Sequence, residues 1–194
     1  DECYEQLTYD VKYTSTASLA DNANKILTFQ SCSKTYAMTG WRIGYTAGDP
    51  AVIKAMSKLQ GQSTSCPNSI AQVAAIEALS GDQSAVAEMR DAFKIRRELI
   101  VGRLNSIEAV TCEMPGGAFY VFPNFQNYLG KSFNSKKINT SSDLSMYFLN
   151  EKAVVTVAGD SFGAQNNIRF SYAASEEELN NALDRVEDAL NNLV

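Results

Sequence analysis

The chain has 194 residues, 45% of them hydrophobic and 20% charged, with a net charge of −5, which is enough length for a core in one domain or two small ones and a composition typical of soluble globular proteins. The acidic balance and the lack of any Lys/Arg run argue against nucleic acid or an anionic membrane surface as a partner. No apolar run reaches the roughly 18 residues of a membrane span, and no secretory signal pattern opens the chain. Histidine is absent, which removes Ser-His and Cys-His catalysis and most zinc sites, so no metal site is expected.

The four cysteines, Cys3, Cys32, Cys66 and Cys112, are widely spaced and form no Cys-x-x-Cys pair. They read as reduced, mostly buried thiols of a cytoplasmic enzyme, with one disulfide pair as the alternative.

Asp1 to Leu7 reads as the end of a strand. Tyr9 to Asn24 is polar and turn-rich, a surface loop with a short helical turn near Ser18-Leu19-Ala20. A strand is expected from Lys25 to Gln30 and a second from Trp41 to Ala47, with the stretch Ser31 to Gly44 leading from one into the other. Gly48-Asp49-Pro50 feeds a helix, with Asp49 as N-cap and Pro50 at its first position. Val52, Ile53, Met56 and Leu59 form a stripe at helical spacing that reads as core. Gln60 to Ser65 is polar and flexible in composition.

Pro67 and Asn68 open another helix, with Ile70, Val73, Ala74, Ile76 and Leu79 as its expected buried face and Gly81 as its stop. A longer helix is expected from Gln83 to Ile107, its charged cluster Lys94, Arg96, Arg97 and Glu98 forming a solvated face.

From Val110 the pattern changes to strands. Within Glu113 to Pro123, Gly116-Gly117 permits backbone conformations closed to other residues, ahead of a strand. Asn124 to Ser141 reads as an irregular surface insertion, followed by a helix capped by Ser142 or Asp143 and ending near Lys152. Val154 to Val157 reads as a buried strand, Ala158 to Gly163 as a loop, and Ile168 to Tyr172 as a strand. Arg169 sits inside that apolar strand, which is costly unless its charge is paired; on the residues alone, an ion pair with Asp160 or Glu177 is the favoured partner. The last helix starts at Ser175 with a cap-and-acid pattern, and Leu179, Leu183, Val186, Leu190 and Leu193 mark its apolar face. The order of elements is α/β in the first half and α+β in the second.

The stretch Ser31-Cys32-Ser33-Lys34-Thr35-Tyr36-Ala37-Met38-Thr39-Gly40-Trp41-Arg42-Ile43-Gly44 carries the chemistry. Lys34 stands where a Schiff base with an aldehyde cofactor can form, since a shielded amine loses its proton more easily. Ser31 and Ser33 offer hydroxyls, and Arg42 a five-donor fork, to a phosphate. By spacing alone, the stretch reads equally well as a surface turn with a solvated lysine and an ion-paired arginine.

The same stretch resembles the pyridoxal-phosphate attachment site of class-I, fold-type-I aminotransferases: small-x-small-Lys, two free positions, then small-apolar-x-Gly-x-Arg-aliphatic-Gly. Every restricted position is matched from Ser31 through Gly44. Asp1-Glu2-Cys3-Tyr4 and Ile168-Arg169-Phe170-Ser171-Tyr172 extend the likeness across the chain.

The resemblance implies the C-terminal part of a large cofactor-binding domain over residues 1–98 and a small α+β domain over 99–194, together the C-terminal portion of a protein about twice as long. It implies pyridoxal 5'-phosphate as cofactor and Lys34 as the catalytic residue that holds it and then moves a proton. Asp1 and Tyr4 would tune the ring, Ser31, Ser33 and Arg42 would hold the phosphate, and Arg169 would grip the substrate carboxylate with its planar fork. The Gly116-Gly117 segment and its strand resemble the part of the small domain that lines the substrate entrance.

The activity implied is amino-group transfer between an amino acid, aspartate or a similar one, and a 2-oxo acid, in a homodimer of the full-length protein. A carbon–sulfur lyase or a synthase of the same fold, or an aminotransferase-like regulator domain, are the alternatives. The family's ring-stacking aromatic, its Asn near the ring oxygen and its glycine-rich phosphate turn precede the Asp-x-x-Tyr segment in the family and have no counterpart here, so the isolated chain is expected to be weakly active or inactive.

Overall fold

The computed structural model describes residues 1–22 and 25–194; the part of the expected Tyr9–Asn24 loop at positions 23 and 24 lies outside the described residues. The chain divides into two compact units, Asp1–Asp91 with Gly116–Ala118, and Ala92–Pro115 with Phe119–Val194. Gly116–Ala118 thus belongs to the first unit, apart from its neighbours in the chain.

In the first unit, Asp1 to Leu7 is not a strand but two consecutive turns, with the Glu5 amide donating to the Glu2 carbonyl at 3.0 Å and the Leu7 amide to the Tyr4 carbonyl at 2.9 Å. The cause is the buried Glu2 carboxylate, which accepts from Ser15 Oγ at 2.9 Å and the Thr16 amide at 3.1 Å and folds the segment onto the loop. Among its described residues that loop contains the 3-10 turn Thr16–Leu19. Strand β1 (Thr28–Ser31) pairs antiparallel with β2 (Gly44–Ala47), and Ser31 stands opposite Gly44. Both strands are shorter than expected. Thr39–Trp41 forms a 3-10 turn and Arg42 adopts φ 54 in the left-handed region, which interrupts extended backbone before Gly44. Helix α1 (Cys32–Thr35) directly follows β1.

Helix α2 (Pro50–Ser63) is capped by Asp49, whose carboxylate accepts from the Ala51 and Val52 amides at 2.8 and 3.3 Å, with Pro50 at its first position. It continues through Gln60 to Ser63, where flexible chain was expected, and it buries no residue, so the Val52–Leu59 stripe is not core in this chain. Helix α3 (Ser69–Ser80) is capped by Asn68 and buries Ala71 and Ala75. Ile70, Val73, Ile76 and Leu79, expected as its inner face, are exposed. Alanines have little bulk to hold backbones apart, and the Ala75 side packs close against Cys32 and Met38. The Gly81 amide closes α3 on the Glu77 carbonyl at 2.8 Å.

Helix α4 (Ser84–Ser106) buries Phe93, Arg97, Ile100, Val101 and Leu104. Arg97 corrects the solvated-face expectation: it is 2% exposed and Nη1 donates to the Pro115 carbonyl at 2.9 Å. In the second unit, β3 (Tyr120–Val121) is followed by a small hairpin, β4 (Ser132–Phe133) with β5 (Lys136–Lys137), and then by α5 (Ser141–Lys152). Strands β6 (Val157–Ala158) and β7 (Ile168–Ser171) complete an antiparallel sheet of order β3-β7-β6, and α6 (Glu176–Asn191) ends the chain.

Asn124 to Ser141 is only partly surface. Phe125, Tyr128 and Ile138 are buried, because the Phe125 ring packs against Phe148 at 6.0 Å and Phe170 at 6.1 Å. The α5 cap is Thr140, not Ser142 or Asp143; Asp143 supplies the reciprocal half of the capping box. The expected strand Val154 to Val157 pairs only from Val157, and Val155 is exposed, because Ala153 at φ 53 turns the chain as α5 ends. Helix α6 follows expectation: a Ser175–Glu178 capping box, with Leu179, Leu183, Val186, Leu190 and Leu193 buried. All four cysteines are free, with Cys32 and Cys112 buried, Cys3 half-buried and Cys66 exposed.

Candidate cofactor-binding residues and the family of the chain

Ser31 ends β1 and caps α1, its Oγ accepting from the Ser33 amide at 3.0 Å. The two hydroxyls also meet, Ser31 Oγ donating to Ser33 Oγ at 2.7 Å. This cap starts a helical turn immediately after the strand, so Lys34 leaves the backbone one turn past the sheet edge. Its neighbours anchor the turn. Cys32 and Thr35 are buried, and Cys32, Met38 and Ala75 form a small core joined by Tyr36 and Ile43. The Thr39 hydroxyl donates to the Ser33 carbonyl at 3.1 Å, tying the far side of the turn to its start.

The Lys34 Nζ lies over the Tyr4 ring, 5.9 Å from its centroid, and both residues are half-buried. The two sequence segments that the resemblance joins, Asp-x-x-Tyr and the lysine turn, therefore meet in the first unit. Asp1 Oδ1 accepts from the Cys3 amide at 3.2 Å, and Asp1 and Tyr4 line a cavity of about 240 Å³ with Glu2, Leu7 and Tyr13.

Arg42 is placed differently. It is exposed, donates from Nη1 to the Thr39 carbonyl at 3.0 Å, and lines a separate cleft of about 800 Å³ with Trp41, Gln60, Cys66, Asn68 and Ile70. Its left-handed φ 54 aims the side chain away from the direction an extended strand would give it. The structure brings Lys34 together with Tyr4 and Ser31 with Ser33, while Arg42 and Asp1 line different cavities.

Burial raises the pKa of the Cys32 thiol and of the Tyr36 phenol behind the turn, keeping both neutral at pH 7 and leaving the lysine's immediate support uncharged. The donor set fits pyridoxal phosphate: an amine for an aldehyde, two adjacent hydroxyls and a guanidinium for a phosphate, and a carboxylate for a ring nitrogen. Among the described residues, no group of three or more His, Cys, Asp or Glu side chains suits a metal ion.

Arg169 belongs to the second unit. Its Cζ lies over the Tyr120 ring at 4.5 Å and over the Phe162 ring at 4.8 Å. Among the described residues it forms no ion pair with Asp160 or Glu177; the Asp160 carboxylate accepts from Ser142 Oγ at 2.9 Å instead. The sequence places Tyr120 in the strand that resembles the substrate entrance and Phe162 in a loop, but gives neither a role of its own. The signal for Tyr120 was its place in the run Phe119-Tyr120-Val121-Phe122, where alternation puts it on the face opposite buried Val121.

The comparisons agree with the motif. The chain is 43% identical over 196 residues to the aspartate aminotransferase of Rhizobium meliloti (strain 1021), covering 100% of the chain and 48% of that protein. It is 44% identical over 190 residues to a probable aspartate/prephenate aminotransferase of Rhizobium leguminosarum bv. phaseoli, covering 96% and 48%. The crystal structure of the Rhizobium meliloti aspartate aminotransferase superposes with a TM-score of 0.95 at 43% identity, covering 100% of this chain and 49% of that one.

The chain thus spans about half the length of the curated relatives it matches. That coverage measures an extent, and the expected assignment to the C-terminal portion of the family does not follow from it. With the pattern of the family described as "Aminotransferase class I and II" matching residues 1–186, and the motif residues laid out on an α/β framework, the chain belongs to the class I and II aminotransferases.

Proposed function

We propose that the protein is an aminotransferase that uses pyridoxal 5'-phosphate, the cofactor of its family, to move an amino group between aspartate or a similar amino acid and a 2-oxo acid. The observation that carries the reading is the Lys34 amine held over the Tyr4 ring at the end of the capped Ser31–Lys34 turn. Its relatives, an aspartate aminotransferase and a probable aspartate/prephenate aminotransferase, support the substrate class.

When bound, the cofactor supplies an electron sink for the pair left on the substrate Cα. The chain's own residues do the rest. Lys34 Nζ would hold the aldehyde end and would take and return the proton at the substrate Cα as general base and acid. Tyr4, beneath that amine, would supply a hydroxyl for the ring's phenolic oxygen, and the Asp1 carboxylate would keep the pyridine nitrogen protonated. Ser31 and Ser33 would hold the phosphate, with Arg42 reaching it from its own cleft, and Arg169 would grip the substrate α-carboxylate through paired hydrogen bonds. Burial of Cys32, Thr35 and Met38 under the turn anchors the lysine's backbone. The assignment of residues 1–98 to the large domain and 99–194 to the small one, a homodimeric full-length protein and a cytoplasmic location complete the proposal.

The test is a visible absorbance titration with pyridoxal phosphate, borohydride reduction and peptide mapping, with Lys34→Arg in parallel. Saturable yellow absorbance with the reduced label on Lys34, lost in the variant, supports the reading. Labels scattered over surface lysines, or unchanged in Lys34→Arg, would remove Lys34 from the proposal. Dependence of turnover on a 2-oxo acid then separates transfer from carbon–sulfur lysis.

A further inference from the structure

Arg169 is a cation on a sheet whose other face is core, and that placement needs an explanation. On β7, Ile168 and Phe170 point into the core and Arg169 lies on the opposite face. The β3–β7 register sets Tyr120 opposite Ser171, which makes Arg169 its diagonal neighbour on the same face, within reach of a large ring. Phe162 comes from the 3-10 turn Gly159–Phe162 that follows β6. That turn is held tightly against the segment before β7: a Cβ at Gly159 would lie 2.1 Å from the Ala164 carbonyl oxygen and 2.3 Å from that of Asn167. The Phe162 ring is braced in turn by an edge contact with Phe122 at 5.8 Å.

Two rings from two independently anchored elements thus meet one guanidinium, while among the described residues no carboxylate pairs with it. Aromatic faces attract a guanidinium without occupying its N–H hydrogen bonds. A neighbouring carboxylate would hold the arginine equally well, but it would fill the donor fork that a ligand carboxylate needs.

We infer that Tyr120 and Phe162 form an aromatic clamp that makes them positioning residues for Arg169, orienting its guanidinium while leaving its donor fork for a planar carboxylate. The inference rests on the carboxylate-binding role proposed for Arg169. The clamp selects a carboxylate over a neutral group because it compensates the cation only through ring faces and leaves full hydrogen-bonding demand at the fork.

The experiment uses the full chain with maleate as the carboxylate probe. Binding is followed by calorimetry and by the Arg169 Nε–H resonance in ¹⁵N NMR, across Tyr120→Leu, Tyr120→Phe, Phe162→Leu and Arg169→Met. Loss of one ring should weaken maleate binding about five- to tenfold, the cost of ordering a flexible guanidinium that the ring no longer holds in place. The Arg169 Nε–H signal should lose one ring's share of its ring-current shift in each Leu variant, and Tyr120→Phe, which keeps the π face, should leave both readouts as in the unsubstituted chain. If Arg169→Met abolishes binding while both Leu variants bind as the unsubstituted chain does, the clamp is overturned and the carboxylate role stands. If the unsubstituted chain does not bind maleate, or Arg169→Met leaves binding intact, the carboxylate role falls and the clamp with it.

Discussion

Gly44 stands opposite Ser31 across β1 and β2, and a Cβ on Gly44 would lie 2.5 Å from the Gln30 carbonyl oxygen. The closing glycine of the lysine motif is thus a packing requirement of the strand that ends on the helix-capping serine. Gly44→Ala should destabilise the first unit by about 1–3 kcal/mol, as overpacking does, and should lower labelling of Lys34 by pyridoxal phosphate because Ser31 shifts with Gln30. Gly40, whose added Cβ would meet nothing within 4 Å, provides the contrast: Gly40→Ala should change stability by no more than about 0.5 kcal/mol. Thermal unfolding of both variants beside the labelling assay checks the pair.

Arg97 is buried within α4 and bonded to the Pro115 carbonyl. Arg97→Ala removes a charge-assisted hydrogen bond and leaves a cavity, so a loss of about 2–4 kcal/mol is expected in urea unfolding. Glu98→Ala removes an exposed carboxylate 3.9 Å from Arg97 Nη2 and should cost less, about 0.5–1 kcal/mol.

The two capping boxes make stability fall in acid. Hydrogen bonds from the Asn139 amide and the Thr140 hydroxyl lower the pKa of Asp143, and the Ser175 amide and hydroxyl lower that of Glu178. A folded pKa below the unfolded one gives stability that is fully present above the unfolded value, near 4 for carboxylates, and is lost as pH falls through the folded value. Asp143→Asn and Glu178→Gln should therefore reduce stability at pH 7 and flatten its slope below about pH 4. Chemical denaturation at a series of pH values reads this directly.

Thiol accessibility separates the cysteines. Cys66 is exposed, whereas Cys112 is buried and its pKa is pushed up to about 11 by loss of solvent. A disulfide reagent at pH 8 should modify Cys66 in the folded chain, and Cys32 and Cys112 only on unfolding. Modification of Cys112 at the Cys66 rate would contradict its burial.

The sequence by itself determined the features whose physics is local. The Asp49, Asn68 and Ser175 caps sit where short side chains next to helical periodicity require them, since a cap bonds amides two or three residues away. The α6 stripe is buried as its spacing implies, and the lysine motif identified the family because its residue types and intervals are themselves the information. Only the tertiary structure decided which faces are covered. In α3 the alanines face inward and the larger Ile70, Val73 and Ile76 outward, a choice set by how closely Cys32 and Met38 approach. It also moved Arg97 from surface to core, turned Asp1 to Leu7 back on Glu2, and gave Arg169 two rings in place of a carboxylate. Each of these depends on residues far apart in the chain. Periodicity can show that a face is apolar, but burial requires a partner surface, and that is a property of the packed chain.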